Sequence, residues 1–168
     1  MTYIFSVLTQ KQAEIIAYNW HYDGEYSFYN MEADQEDLEE FLNPVKRGNT
    51  TFAVTTENEL IAFFSTYKVA EKTFDIGLGM RPDLTGNGKG IAFLKACINF
   101  IQSEYIPEKI TLSVATFNQR AIKLYINVGF KVVETFMQDT NGSTFEFLKM
   151  EYKCASAVDD TSDCKKIF

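Results

Sequence analysis

Glycines at alternate positions, Gly86-Asn87-Gly88-Lys89-Gly90, stand between a strand-like run, Phe74 to Met80, and a helix-like run, Ile91 to Tyr105. Such a junction restricts the chain to folds in which a strand turns tightly into a helix. The turn exposes backbone N–H groups, and the first helical turn adds unpaired donors at the positive end of the helix dipole. Glycine permits positive φ and close approach of an anion to the backbone. One reading is therefore a backbone site for a phosphorylated ligand. The other is a tight connection that uses glycine only for its shape.

Two familiar phosphate loops are excluded by spacing. A P-loop requires Gly, four residues, then Gly-Lys-Ser/Thr. Here Lys89 is followed by Gly90, and Asp83 occupies the first glycine position. The dinucleotide pattern Gly-x-Gly-x-x-Gly would need glycine at Ile91 or Phe93.

The 168 residues favour one domain, 1–152, followed by a loose polar tail, 153–168. No apolar run reaches the roughly 18 residues of a membrane span, and Met1 to Phe5 lacks the pattern of a signal peptide. Cys97, Cys154 and Cys164 form no disulfide framework, which points to a reducing, cytoplasmic setting. A single histidine argues against a zinc site, so no metal is expected. The net charge of −7 argues against nucleic acid as a partner. Between Lys11 and Lys46 there is no basic residue, but there are Asp23, Glu25, Glu32, Asp34, Glu36, Asp37, Glu39 and Glu40. This run is either a solvated face or an acidic rim that attracts a cationic acceptor.

Periodicity gives the order β-α-α-β-β-β-α-β-α-β-β. Tyr3 to Leu8 reads as a strand, and Thr9 caps a helix over Gln10 to Asn19. Trp20 to Met31 is aromatic and aperiodic, a loop or a helix interrupted at Gly24. Asp34 caps a helix that Asn43-Pro44 stops after Leu42. Asn49 to Thr56, Leu60 to Val69 and Lys72 to Met80 alternate as strands. In the last of these, Phe74, Ile76, Leu78 and Met80 share one face, opposite Asp75, Gly77 and Gly79. Lys109 to Ala115 is a strand, and Asn118 caps a helix ended by Gly129. Phe130 to Met137 and Ser143 to Tyr152 form a hairpin around Asn141-Gly142.

In this order, two segments become specific. Gly79-Met80-Arg81-Pro82-Asp83-Leu84-Thr85-Gly86-Asn87-Gly88-Lys89-Gly90 resembles the acetyl-CoA loop of the GNAT superfamily of N-acetyltransferases. Asn118-Gln119-Arg120-Ala121-Ile122-Lys123-Leu124-Tyr125-Ile126-Asn127-Val128-Gly129-Phe130 is similar to that family's Asn-x-x-Ala-x-x-x-Tyr-x-x-x-Gly-Phe segment. The resemblance implies a mixed α/β (α+β) fold: a mostly antiparallel sheet, helices on both faces, splayed between the fourth and fifth strands. It implies that Thr85, Gly86, Asn87, Gly88, Lys89 and Gly90 hold the pyrophosphate of acetyl-CoA. Leu78, Gly79 and Met80 would pair with the pantetheine arm, and Asn118, Ala121 and Tyr125 would complete the cofactor contacts. Thr85 departs from the family's Arg or Gln and Asn87 from its frequent basic residue, while main-chain contacts need neither side chain. Lys89 offers one cationic contact.

The implied reaction is acetyl transfer to a primary amine of a small molecule or peptide. Attack on the thioester expels a thiolate, and a phenol with a pKa of about 10 can protonate it. The motif gives Tyr125 that role; otherwise it is an aromatic on a buried helix face. Gly77 and Gly79 would leave room for acceptor and thioester, or mark a bulge. Candidate bases are Asp75, on the glycine face, and Glu25 and His21, in the aromatic loop. An ordered water relay is an alternative. Trp20, Tyr22, Tyr26, Phe28 and Tyr29 would form an acceptor wall or pack as core. The runner-up function is a non-catalytic acyl-CoA-binding or interaction module. The resemblance further implies a homodimer joined at the sheet edges after Gly129.

Overall fold

A computed structural model describes residues 2–155. Its strands are β1 (Ile4–Val7), β2 (Thr51–Thr56), β3 (Glu59–Ala70), β4 (Thr73–Met80), β5 (Lys109–Ala115), β6 (Lys131–Thr140) and β7 (Ser143–Lys153). Its helices are α1 (Gln10–Asn19), α2 (Gln35–Leu42), α3 (Pro44–Arg47), α4 (Gly90–Tyr105) and α5 (Gln119–Val128), with 3₁₀ turns at Gly24–Tyr29, Met31–Ala33 and Pro82–Leu84. The strands form one sheet in the order β1-β2-β3-β4-β5-β7-β6. All neighbours are antiparallel except β4 and β5. The mixed, mostly antiparallel sheet expected from the resemblance is the one observed.

Alternation along the strands divides the core between two faces. Phe52 and Val54 of β2 and Phe64 of β3 meet Phe93, Leu94, Cys97 and Ile101 of α4, with Ile122 of α5 in the same cluster. On the opposite face, Ala53 packs with Ala13, Ile16 and Trp20, against which Phe41 and Phe63 close. Phe64 and Phe93 are almost wholly buried, and truncating either to alanine would cost about 3–5 kcal/mol.

Tight turns follow local chemistry. Asn141 and Gly142 take positive φ between β6 and β7, as do Glu57 and Asn58 between β2 and β3. The sequence places the end of a helix at Asn43-Pro44, but the chain immediately starts α3 there. Asn43 Oδ1 accepts from the amides of Val45 and Lys46 at 3.0 and 3.3 Å. Proline at the first helical position loses only an amide that would have had no partner. The aromatic loop resolves into the two 3₁₀ turns, with Gly24 at φ +59° opening the first. Strand β7 continues to Lys153; the remainder of the expected tail, 156–168, lies outside the described residues.

Candidate active site

The parallel pair β4 and β5 is joined only through Thr73–Lys109, Phe74–Ile110 and Asp75–Thr111. Both strands run on, but they no longer pair. Between them opens a cavity of about 620 Å³, walled by Ile76 to Met80 on one side and Leu112 to Val114 on the other. The splay therefore falls between the fourth and fifth strands, as the resemblance implies.

Strand geometry aims the exposed edge of β4. The Arg81 amide donates to Ile61 O at 2.8 Å. Alternation turns the amides of Gly77 and Gly79 toward β3 as well, so those of Leu78 and Met80 face the cleft. The Met80 carbonyl is already engaged, because the Tyr22 hydroxyl donates to it at 2.7 Å. What the edge offers is the Leu78 and Met80 amides and the Leu78 carbonyl.

The glycine turn lies at the mouth of this cleft. Arg81 Nε and Nη2 grip the Asp83 carboxylate at 2.6 and 3.1 Å, which holds that carboxyl below its ordinary range. Thr85 Oγ1 donates to Pro82 O at 2.8 Å and Asn87 Nδ2 to Asp83 O at 3.2 Å. Both side chains build the turn from within. Gly86 and Gly88 sit at φ +77° and +76°, where other residues are strained. Among the described residues, the amides of Gly86, Asn87, Gly88 and Lys89 donate to no other backbone group. Helix α4 follows without a side-chain cap. A Cβ on Gly90 would stand 3.0 Å from Leu124 Cδ2, a tight approach where α4 crosses α5. Thr85, Gly86, Gly88 and Gly90 line the cavity, whereas Asn87 and Lys89 do not.

A further cation at this turn is Arg120. Its Nη1 would be 3.3 Å from a Cβ on Gly86, and its guanidinium carbon lies 4.3 Å from the centre of the Tyr26 ring. Sequence reasoning assigned the cationic contact to Lys89 and passed over Arg120. The available signal was its position in the first turn after Asn118, a helix start that the fold brings beside the glycine turn.

Asn118 Oδ1 accepts from the Ala121 amide at 3.1 Å, capping α5, and its Nδ2 donates to Tyr29 Oη at 3.2 Å. Ala121 and Tyr125 follow along the cavity wall. Tyr125 touches solvent only in part, and desolvation pushes its phenol far above the ordinary tyrosine value, with Tyr29 and Cys97 adding to the effect. The hydroxyl is thus held protonated. Burial also raises Tyr22, to about 12.

The candidate bases are not in the cavity wall. Asp75 stops one residue short of it, and Thr111 Oγ1 donates to its carboxylate at 2.7 Å. Burial raises the Asp75 carboxyl, and the bonds to Thr111 and the charge of Lys149 only partly offset this. Glu25 is exposed in the first 3₁₀ turn, away from the lining. His21 Nε2 lies 2.7 Å from Glu32 Oε1, also outside the lining.

Gly77 and Gly79 line the cavity, and the space a side chain on either would take is already occupied. A Cβ on Gly79 would be 2.3 Å from the Phe63 ring, and one on Gly77 would be 2.7 Å from Ser65 Oγ. Of the aromatic loop, Trp20, Tyr22, Tyr26 and Tyr29 line the cavity. Phe28 instead packs edge-on against Phe117 and Phe145.

The fold recurs in solved structures. Spermidine N-acetyltransferase from Vibrio cholerae in complex with CoA and spermine aligns with a TM-score of 0.69 and 17% identity, covering 90% of this chain and 95% of that one. A GNAT-family acetyltransferase from Bacillus anthracis aligns with a TM-score of 0.72 and 17% identity, covering 91% and 95%. At such identity the likeness is one of fold. No curated protein matches the chain. Residues 15–130 match the acetyltransferase (GNAT) family, and with that match the chain belongs to this family of acetyl-CoA-dependent acetyltransferases.

Proposed function

We propose that the protein moves an acetyl group from acetyl-CoA to a primary amine. The observation that carries this is continuity: unpaired turn amides, the free edge of β4 and the Tyr125 phenol share one cavity. In the reaction an amine nitrogen bonds to the thioester carbonyl carbon, and the carbon–sulfur bond breaks.

The roles follow from chemistry. The amides of Gly86 to Gly90 and the Arg120 guanidinium receive the pyrophosphate. The amides of Leu78 and Met80 donate to the pantetheine arm and to the oxygen on which negative charge develops. Tyr125 gives its proton to the departing thiolate. Asp75 takes the proton of the incoming ammonium through water, since it stands outside the cavity wall. It is a stronger candidate than Glu25, which is exposed and lacks a comparable environment. A homodimer would use the free edge of β6, where Val132, Val133 and Met137 are exposed.

The test is calorimetric titration with acetyl-CoA, followed by thiol release over a panel of amines. Binding at one site with Kd of about micromolar order is expected. Tyr125→Phe should leave that Kd unchanged and lower kcat by about 100-fold. An unchanged kcat would remove the acid role from Tyr125.

A pH profile tests the base. The Asp75 carboxyl keeps its proton to a higher pH than an ordinary aspartate. The base form is therefore lost as pH falls through that raised value, and kcat/KM should fall with it. Asp75→Asn should lower the plateau and flatten this acid limb. Persistence of the limb in the variant would place the base elsewhere.

A further inference from the structure

The acceptor end of the cavity differs in charge from the surface around it. No aspartate or glutamate lines the cavity among the described residues; its charged members are Arg120 and Lys123, both cationic. Arg120 is at the glycine turn. Trp20, Tyr22, Tyr29, Met31 and Phe63 form an uncharged part of its wall.

Three members of the acidic run that precedes β2 are held elsewhere. Asp34 caps α2 through the Asp37 amide and clamps the β6–β7 turn by accepting from the Asn141 amide and Thr140 Oγ1. Glu32 faces His21, and Glu39 accepts from Gln35. None of them reaches the cavity lining.

The polar tips in the aromatic wall are also engaged. The Tyr22 hydroxyl donates to Met80 O, and Tyr29 Oη accepts from Asn118. The Tyr26 face is taken by Arg120. A second positive charge on an acceptor would lose its hydration here and find no counter-charge. An apolar body would gain about 25 cal/mol for each Å² it buries against the wall.

We infer that the acceptor is a small monoamine carried on a compact apolar body, aromatic or branched aliphatic, and not a polyamine. This rests on the acetyltransferase reading for the role of the cavity. It sets the chain apart from the spermidine N-acetyltransferases whose fold it shares.

The sole tryptophan, Trp20, lies in the cavity wall and reports occupancy without any need for turnover. The full chain, saturated with CoA, is titrated with 2-phenylethylamine and with spermidine while Trp20 emission is followed under selective excitation. A saturable change with 2-phenylethylamine at a Kd at least about tenfold below that for spermidine is expected. Met31→Glu, which places a carboxylate in the wall, should narrow or reverse that ratio. Spermidine binding as tightly as 2-phenylethylamine, or no saturable change with 2-phenylethylamine, overturns the inference. Selective binding of 2-phenylethylamine without its acetylation from acetyl-CoA would uphold the acceptor class and count against the transferase reading instead.

Discussion

Helices α1 and α4 begin in opposite ways. At α1, Thr9 Oγ1 accepts from the Gln12 amide at 3.1 Å and Gln12 Oε1 accepts from the Thr9 amide at 3.0 Å. This reciprocal box satisfies two donors within the chain. Asp34, Asn43 and Asn118 cap α2, α3 and α5 by side-chain oxygens. Only α4 of these five starts bare, with Lys89 at its N-cap and glycines before it. A helix of 16 residues, buried along Phe93, Leu94, Cys97, Ile98 and Ile101, holds its shape by packing and can leave its first turn open. On the proposed function, the uncapped start is where a ligand would cap from outside.

The largest effect that would break this comparison comes from the turn. Gly88→Val puts a branched side chain at φ +76°, with open space around it. It should shift the amides out of line and weaken acetyl-CoA binding by about 100-fold, while unfolding free energy falls by only about 1–2 kcal/mol. Calorimetry and thermal melting separate the two. Wild-type affinity in this variant would mean that the turn amides hold nothing.

A smaller effect is expected at the N-cap itself. Lys89→Asp supplies α4 with a side-chain cap oxygen, as its counterparts possess. The free protein should gain about 0.5–1 kcal/mol, and acetyl-CoA affinity should drop about tenfold as the internal cap competes with phosphate. Gain in both quantities would contradict the opposition between capping and binding. The smallest effect belongs to α1. Thr9→Ala should cost about 1 kcal/mol, a fall in Tm of about 2–4 °C, and leave the acetyl-CoA Kd as it was. A change in Kd would show that the two helix starts are coupled.

Local chemistry was readable in the sequence. Alternation marked the strands, Thr9, Asp34 and Asn118 announced their helices, and the glycine turn and Tyr125 came together as expected. Long-range consequences were hidden. Nothing in the spacing places β7 between β5 and β6, because pairing order is a property of the whole sheet. Phe63 looks like any apolar strand residue, yet its ring occupies the space over Gly79. Arg120 is filler in a helix until the fold sets it beside Gly86 and Tyr26. The acidic run suggested an attractive rim; one of its members, Asp34, spends its oxygens on the α2 cap and on the distant β6–β7 turn. Burial sets the Asp75 environment, and burial across strands has no local signature.

The one-sided pairing of β4 beyond Asp75 has a consequence for hydrogen exchange. A central strand is ordinarily the slowest-exchanging part of a sheet. Here Gly77, Gly79 and Arg81 turn toward β3, while Leu78 and Met80 turn toward the open cleft. In the free protein, deuterium would enter every second amide of this stretch quickly and its neighbours slowly. Once an extended ligand lies along the edge, the fast set would join the slow one. The middle of the sheet thus carries its own record of whether the donor is present, written at single-residue intervals.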